Sequence, residues 1–466
     1  MPRKKEKIGY VMTENTREIV LGVLTGISEN GIYSHMAVRG ALERYQYLSK
    51  RDRAFITRVC EGTVERMIEL DYIIDCYATV PADKMKPVIR DILRSAVYQI
   101  LFMDSVPDAA AVNEAVRLTQ QKGFYNLKGF VNAVLRNIIR NREEIPYPDA
   151  RAEKSKYLSV TYSMPLWLVE EWREEYGDFI TERMLQSFLR ERPTVVRYKT
   201  DRVQARTITE SLISQGVTVR KGPYLPYNYL ISDFNYLPAL AAFQSGWIFP
   251  QDTSSMLVAE IAAPDRGDHV IDMCAAPGGK SLHLADKMAG FGMIEARDLT
   301  EEKVALIREN VRRADDINIR PAVMDALTFD QDSVESADIV LCDVPCSGLG
   351  VISRKSDIKY RISPEKRSSL VELQRAILKN AAAYVRPGGH LIYSTCTIGR
   401  QENQDNLEWF LEHFPFEAES LDPYLPRELR RLTTEKGYLQ LMPGVHDTDG
   451  FFIARVRKTG TQGMRV

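Results

Sequence analysis

Two strings in the second half of the chain end an apolar run on a cysteine turn. One is Leu341-Cys342-Asp343-Val344-Pro345-Cys346-Ser347-Gly348-Leu349-Gly350, and the other is Tyr393-Ser394-Thr395-Cys396-Thr397. Apolar residues giving way to proline, glycine and hydroxyl side chains mark a strand running into a turn. Strand ends of one sheet can converge however far apart they lie in sequence. A thiol at such a polar end is accessible and can act as a thiolate nucleophile, whereas burial in apolar surroundings makes a cysteine inert. Cys346 and Cys396 are read as the reactive pair, and Cys274 and Cys342 as inert. Asp343 adds a carboxylate able to hydrogen-bond a substrate or exchange a proton with it.

A third string, Asp272-Met273-Cys274-Ala275-Ala276-Pro277-Gly278-Gly279-Lys280, follows a strand and precedes a helix. Small residues let a ligand approach the backbone, and the helix N-terminus offers N–H groups. At the end of the first strand of an α/β sheet this is the expected cofactor crevice. The spacing matches neither G-x-G-x-x-G nor the P-loop pattern, which disfavours NAD and ATP. The expected cofactor contacts are Cys274, Ala275, Ala276, Pro277, Gly278, Gly279 and Lys280, with Asp298, Asp325 and Asp343. Asp298 closes the next strand and is suited to the two hydroxyls of an adenosine ribose; Glu295 is the alternative. Asp325 is suited to the adenine amino group.

A chain of 466 residues with 44% hydrophobic and 27% charged side chains is multidomain and globular. From about Thr13 to Arg142 apolar residues recur at three and four, as in Val88-Ile89-Ile92-Leu93-Ala96-Val97, and Pro81, Pro87 and Pro107 punctuate them. That is an all-α bundle of six or seven helices. A small α+β module follows, with strands at Pro193–Thr200, Val217–Lys221 and Tyr229–Ser232 and a helix at Val203–Gln215. From Trp247 strands (Val270–Met273, Met293–Arg297, Ala337–Cys342, His390–Ser394) alternate with helices (Ser281–Met288, Glu301–Ala314, Glu365–Tyr384), which argues for a parallel, doubly wound sheet. The domains are read as 1–145, 146–245 and 246–460.

Other classes are excluded. Six cysteines in so long a chain make no disulfide framework, and Cys342 with Cys346 lacks the second ligand pair that zinc requires. No apolar run could span a membrane, and the basic start Met1–Lys7 lacks a signal-peptide core, so it is read as a solvated arm in a cytoplasmic protein. The formal charge is -1 overall, so any phosphate-binding surface is local. Arg354, Lys355, Lys359, Arg361, Lys366 and Arg367 after the Pro-Cys turn are one candidate for it.

Residues 247–458 resemble the RsmB/Nop family of RNA 5-methylcytosine methyltransferases. The Asp272–Lys280 turn and both cysteine turns carry the likeness, together with Gln251-Asp252-Thr253-Ser254-Ser255-Met256 and Asp449-Gly450-Phe451-Phe452-Ile453-Ala454. The departure is Glu295-Ala296-Arg297 before Asp298, where the family has small or apolar residues. The first 140 residues resemble the NusB RNA-binding helical fold, most clearly at Gly129–Asn137. The middle module resembles an RRM-like segment without an aromatic RNP string.

The resemblance implies a NusB-like bundle, a small RRM-like α+β module and a Rossmann-like class I methyltransferase domain. It implies S-adenosyl-L-methionine as cofactor and 16S ribosomal RNA as substrate, with cytosine 967 as the target. The expected form is a cytoplasmic monomer acting without metal before the subunit is fully assembled. Cys396 is implied as the nucleophile at cytosine carbon 6, Cys346 as a participant in release, and Asp343 as acid partner to ring N3 and the exocyclic amine. The rivals are methylation of another RNA (tRNA or 23S ribosomal RNA), a DNA enzyme using the Pro-Cys cysteine as nucleophile, and a non-catalytic NusB-like RNA-binding factor.

Overall fold

The structure is a computed structural model that describes residues 15–190, 192–200 and 202–460. The Met1–Lys7 arm and Thr13 lie outside the described residues. The chain forms two compact units, residues 1–185 with 355–357, and residues 186–354 with 358–466.

Seven α-helices open the first unit: α1 (Thr16–Ser28), α2 (Ser34–Arg44), α3 (Lys50–Glu65), α4 (Met67–Tyr77), α5 (Pro87–Phe102), α6 (Asp108–Gln121) and α7 (Lys128–Arg140). Pro87 sits at the first turn of α5, where its missing N–H costs nothing. The apolar stripe of α5 buries Ile89, Ile92, Leu93, Ala96 and Val97, and the helix packs on α1, α3, α4, α6 and α7. Its buried charges are partnered: Asp91 accepts from Ser28 Oγ at 2.6 Å, and Arg94 reaches both Asp71 and Asp91. α8 (Lys154–Thr161) and α9 (Leu166–Phe188) follow, the latter broken at Gly177 with φ 77°.

The second unit holds two sheets. The smaller is antiparallel in the order β2-β3-β1-β4, from β1 (Thr194–Tyr198), β2 (Thr218–Lys221), β3 (Asn228–Ser232) and β4 (Ile248–Pro250), with α10 (Ala205–Ser214) and α11 (Ala241–Gln244). β4 is absent from the sequence reading because three residues are too few to show alternation.

The larger sheet has the order β10-β12-β9-β8-β5-β6-β7. It contains β5 (His269–Asp272), β6 (Met293–Asp298), β7 (Ile319–Val323), β8 (Ala337–Asp343), β9 (Val385–Thr395), β10 (Phe416–Ala418) and β12 (Phe451–Lys458); β11 (Tyr438–Leu441) pairs with β12. The helices of this part are α12 (Thr253–Ala262), α13 (Gly279–Lys287), α14 (Glu301–Ala314), α15 (Pro364–Tyr384) and α16 (Gln404–His413).

The four strands expected to form a parallel sheet do so, and further strands extend it antiparallel at one edge. β9, β8, β5, β6 and β7 are parallel, but β12 runs antiparallel to β9, and β10 and β11 antiparallel to β12. The loop of residues 442–450, rather than a crossover helix, joins β11 to β12, and such a link returns the chain antiparallel. β7 carries Pro321 and lies at the sheet edge, where a missing ladder donor is tolerated. No helix among the described residues is long and apolar enough to cross a membrane.

Candidate active site at the strand ends

The parallel register of β8 and β9 sets Cys342 opposite Tyr393 and Asp343 opposite Ser394. Each strand then enters its cysteine turn on the same side of the sheet. Ser394 Oγ donates to Asp343 Oδ1 at 2.7 Å, and the Gly350 N–H donates to the Cys396 carbonyl at 3.0 Å. The two turns are thus stitched together, and Cys346 Sγ lies 3.3 Å from Cys396 Sγ. Both residues are half-buried. The contact with Cys396, then burial, holds the Cys346 thiol well above the usual cysteine range.

The other half of the site is the turn after β5. Ala275 N–H donates to the Arg297 carbonyl at 2.8 Å, and Ala276 N–H to Asp298 Oδ2 at 2.9 Å, so the end of β6 shapes the turn. Gly278 adopts φ 100°, a left-handed conformation that side chains resist, and α13 begins directly after it. Lys280 Nζ then reaches across to Asp343 Oδ2 at 2.6 Å. Burial opposes the Lys280 ammonium, but Asp343, with Asp272 and Cys396, outweighs it and raises its pKa above the usual lysine value. Through this pair the glycine turn adjoins the cysteine turns.

Asp298 is nearly buried and also holds Lys303 Nζ at 3.0 Å. Glu295, the alternative ribose acceptor, is engaged elsewhere: it bonds His269 Nε2 at 2.8 Å and Arg297 Nη2 at 2.5 Å, and the His269 bond leads in lowering its pKa to about 2. Asp325 is exposed, with Oδ1 accepting from the Leu327 N–H at 2.9 Å. Leu299, Val323 and Leu327, beside these carboxylates in sequence, expose apolar surface. A Cβ on Gly279 would meet nothing within 4 Å. An open helix N-terminus, apolar surface and carboxylates at two strand ends fit an adenosine-bearing cofactor.

Cys274 and Cys342 differ from the pair. Burial is the main cause raising both thiols, and Cys342 is fully enclosed. The basic run after Cys346 is corrected in part: Lys359 and Arg367 are buried, and Arg354 is engaged by Asp449 and Asp252, so these three do not form a solvated phosphate track. The sequence reading missed Glu402, buried behind both cysteine turns. It stands in Gly399-Arg400-Gln401-Glu402-Asn403-Gln404, a polar run that reads as exposed, so no signal in one sequence marks it.

Fold and site together define a methyltransferase of Rossmann-like architecture. The model of the 16S rRNA methyltransferase RsmB/F family matches residues 259–457, that of the NusB family residues 14–140, and that of the RsmF/B-like ferredoxin-like domain residues 164–232. The probable ribosomal RNA small subunit methyltransferase B of Bacillus subtilis is 35% identical, over 96% of this chain and 99% of its own length. Ribosomal RNA small subunit methyltransferase B of Vibrio cholerae is 29% identical, over 97% and 99%. Among solved structures, PH0851 superimposes with a TM-score of 0.81 at 26% identity, covering 98% of this chain and all of that one. The chain belongs to the ribosomal RNA small subunit methyltransferase B family, the RsmB group with an N-terminal NusB-like domain.

Proposed function

We propose that this protein methylates carbon 5 of a cytosine in 16S ribosomal RNA, at position 967, through a covalent adduct with Cys396. The observation that carries the reading is the 3.3 Å contact between two sulfurs from neighbouring strand ends, beside the Lys280–Asp343 pair. The Ala275–Gly279 turn, with Asp298 and Asp325, would hold S-adenosylmethionine, whose sulfonium would supply the electrophilic methyl group and depart as a neutral thioether.

Carbon 5 of cytosine is a weak nucleophile, which covalent catalysis overcomes. The Cys396 thiolate adds to carbon 6, and the electron pair moves toward carbon 5 and the ring N3–carbon 4 unit. A proton reaching N3 neutralises the developing charge. Asp343, hydrogen-bonded to N3 and the exocyclic amine, is the acid partner, and the Lys280 ammonium beside it keeps a transferable proton within reach. Carbon 5, now enamine-like, takes the methyl group. Loss of the carbon 5 and N3 protons and breakage of the carbon 6–sulfur bond restore the aromatic ring and the thiolate. Once Cys396 is bound to carbon, the neighbouring thiolate that raises the Cys346 pKa is gone, so Cys346 gives up its proton to solvent more readily. The Cys346 thiolate then takes the carbon 5 proton, and the N3 proton returns to the Asp343–Lys280 pair.

The target base must leave its stack to reach the sulfurs. The NusB-like helices and the ferredoxin-like module are the RNA-holding parts, in a division at 1–145, 146–245 and 246–460. The protein works as a cytoplasmic monomer, without metal, on RNA not yet fully assembled. Bisulfite sequencing of 16S ribosomal RNA from a deletion strain tests this: the protected cytosine at 967 disappears and returns with the intact gene. Retention of that mark, or loss of one in tRNA or 23S ribosomal RNA instead, overturns the assignment.

A further inference from the structure

Behind the sulfurs lies a carboxylate with no part in the steps above. Glu402, on the short helical turn Arg400–Glu402 after the second cysteine, is fully buried. A carboxylate sealed from water is costly unless hydrogen bonds replace the water it lost. Its Oε1 accepts from the Ser347 N–H at 2.8 Å and from Gln374 Nε2 at 3.0 Å, and its Oε2 from Ser347 Oγ at 2.5 Å. Ser347 has given its hydroxyl proton to Glu402, so in its 2.7 Å contact with Thr397 Oγ1 the threonine donates. Ser347 follows Cys346, and Thr397 follows Cys396. One carboxylate therefore reaches the residue after each cysteine. Gln374 also donates to the Pro345 carbonyl at 2.9 Å, which ties in the residue before Cys346.

We propose that Glu402 is a positioning residue for the cysteine pair: it holds the residues following Cys346 and Cys396 so that the sulfurs stay in contact, and its charge keeps their shared proton on Cys346. The consequence for methyl transfer rests on the function proposed above; the tether itself does not.

The charges around the pair are asymmetric. The Lys280 ammonium is favoured by Cys396 among its neighbours, and since such coupling works in both directions, Lys280 favours Cys396 as thiolate. The Cys346 thiol is raised first by its bond with Cys396, then by burial and by the charges of Cys396 and Glu402. Asp343 and Asp272 stand with Lys280. The Tyr393 hydroxyl donates to the Glu402 carbonyl, and the Cys342 thiol is buried close by. From α15, Arg367 comes to the same turn: a Cβ on Gly399 would lie 3.8 Å from Glu402 Oε2 and 3.9 Å from Arg367 Nη1. With Lys280, paired to Asp343, on the Cys396 side and Glu402 on the Cys346 side, the shared proton is biased toward Cys346.

The test is iodoacetamide labelling of the full-length protein across about pH 6 to 10, read cysteine by cysteine by peptide mass spectrometry. It needs neither RNA nor methyl donor. In the unaltered chain Cys396 labels ahead of Cys346. Glu402→Gln keeps the length and an acceptor for the Ser347 N–H but removes the charge. We expect Cys346 labelling at a fixed pH to quicken and the Cys396-to-Cys346 rate ratio to fall by about tenfold. Glu402→Asp restores the charge and moves the ratio back toward that of the unaltered chain, which a purely structural role would not require. Thr397→Val cuts the link to the Cys396 turn, leaves the Cys346 labelling rate in place and lowers the methylation kcat. The proposal is overturned by a Glu402→Gln protein with an unchanged ratio. Should that variant not fold, Thr397→Val with an unchanged kcat overturns the tether. If the labelling shifts as expected while the unaltered chain transfers no methyl group to RNA, the positioning role stands and the proposed function falls.

Discussion

Lys280 Nζ lies 2.6 Å from Asp343 Oδ2, which joins the turn after β5 to the turn after β8. Sequence alone assigns Lys280 to cofactor contact; the geometry gives it a second task on the substrate side. Its charge orients the Asp343 carboxylate, proposed above to meet the pyrimidine ring, while Ser394 holds the other oxygen. Lys280→Met should therefore slow methyl transfer by about 100-fold or more, the usual scale for losing a positioned acid–base partner. Lys280→Arg should recover part of the rate. Single-turnover transfer of labelled methyl groups to 16S ribosomal RNA measures both, and a Met variant with full activity would remove Lys280 from the mechanism.

The cysteine pair predicts opposite outcomes for two similar substitutions. Cys396→Ala removes the proposed carbon 6 nucleophile and should abolish methylation. Cys346→Ala leaves addition possible but impairs release, so a protein–RNA adduct should accumulate, seen as a slow band on a denaturing gel after mixing with RNA and S-adenosylmethionine. An active Cys396→Ala enzyme, with the adduct appearing at Cys346 instead, would reverse the two roles.

The cysteine turns owe their proximity partly to bare backbone. The Gly450 N–H donates to the Gly350 carbonyl at 2.9 Å, and a Cβ added to Gly350 would lie 2.0 Å from the Gly450 oxygen. No rotamer change relieves a clash with a carbonyl. Gly350→Ala should destabilise the second unit by about 2 kcal/mol or more, within the range for overpacking. It should also displace the Cys346 turn, lowering activity beyond what lost stability explains. Urea unfolding followed by activity at a temperature where the variant is fully folded separates the two effects.

How much of this is legible in the sequence depends on the range of the forces involved. The helices α1–α7 are written in local periodicity, although α5, packed on five helices, also buries Asp91, Arg94, Ser95 and Gln99, which the apolar pattern does not mark. Both cysteine turns are legible because a strand end followed by proline or glycine is a local pattern. Glu402 is not, since its burial depends on Ser347 and Gln374, both distant in sequence, and a glutamate in a polar run carries no mark of that. β12 escapes for a related reason: Phe451–Val456 has no polar alternation because both faces are covered, so periodicity cannot tell it from a buried helix. Lys359 and Arg367 mislead in the opposite sense, since charge in a sequence suggests solvent and tertiary packing overrides it.

Asp272 supplies a prediction that depends on pH alone. It ends β5 fully enclosed, and burial pushes its pKa up to about 7, against the opposing bond from Ser281 Oγ at 2.6 Å and the charge of Lys280. In the unfolded chain an aspartate titrates near about 3.9. Between these values the folded protein holds a proton that the unfolded chain has lost, so folding takes up a proton. Stability from this group is therefore full below about pH 4, declines as pH rises toward about 7, and is constant above that. Asp272→Asn keeps an acceptor for Ser281 and has no proton to lose. The difference in melting temperature, variant minus unaltered chain, should grow steadily across that window and level off beyond it. A difference that stays flat from acid to neutral pH would mean that Asp272 is already ionised in the folded protein, with Lys280 compensating its burial.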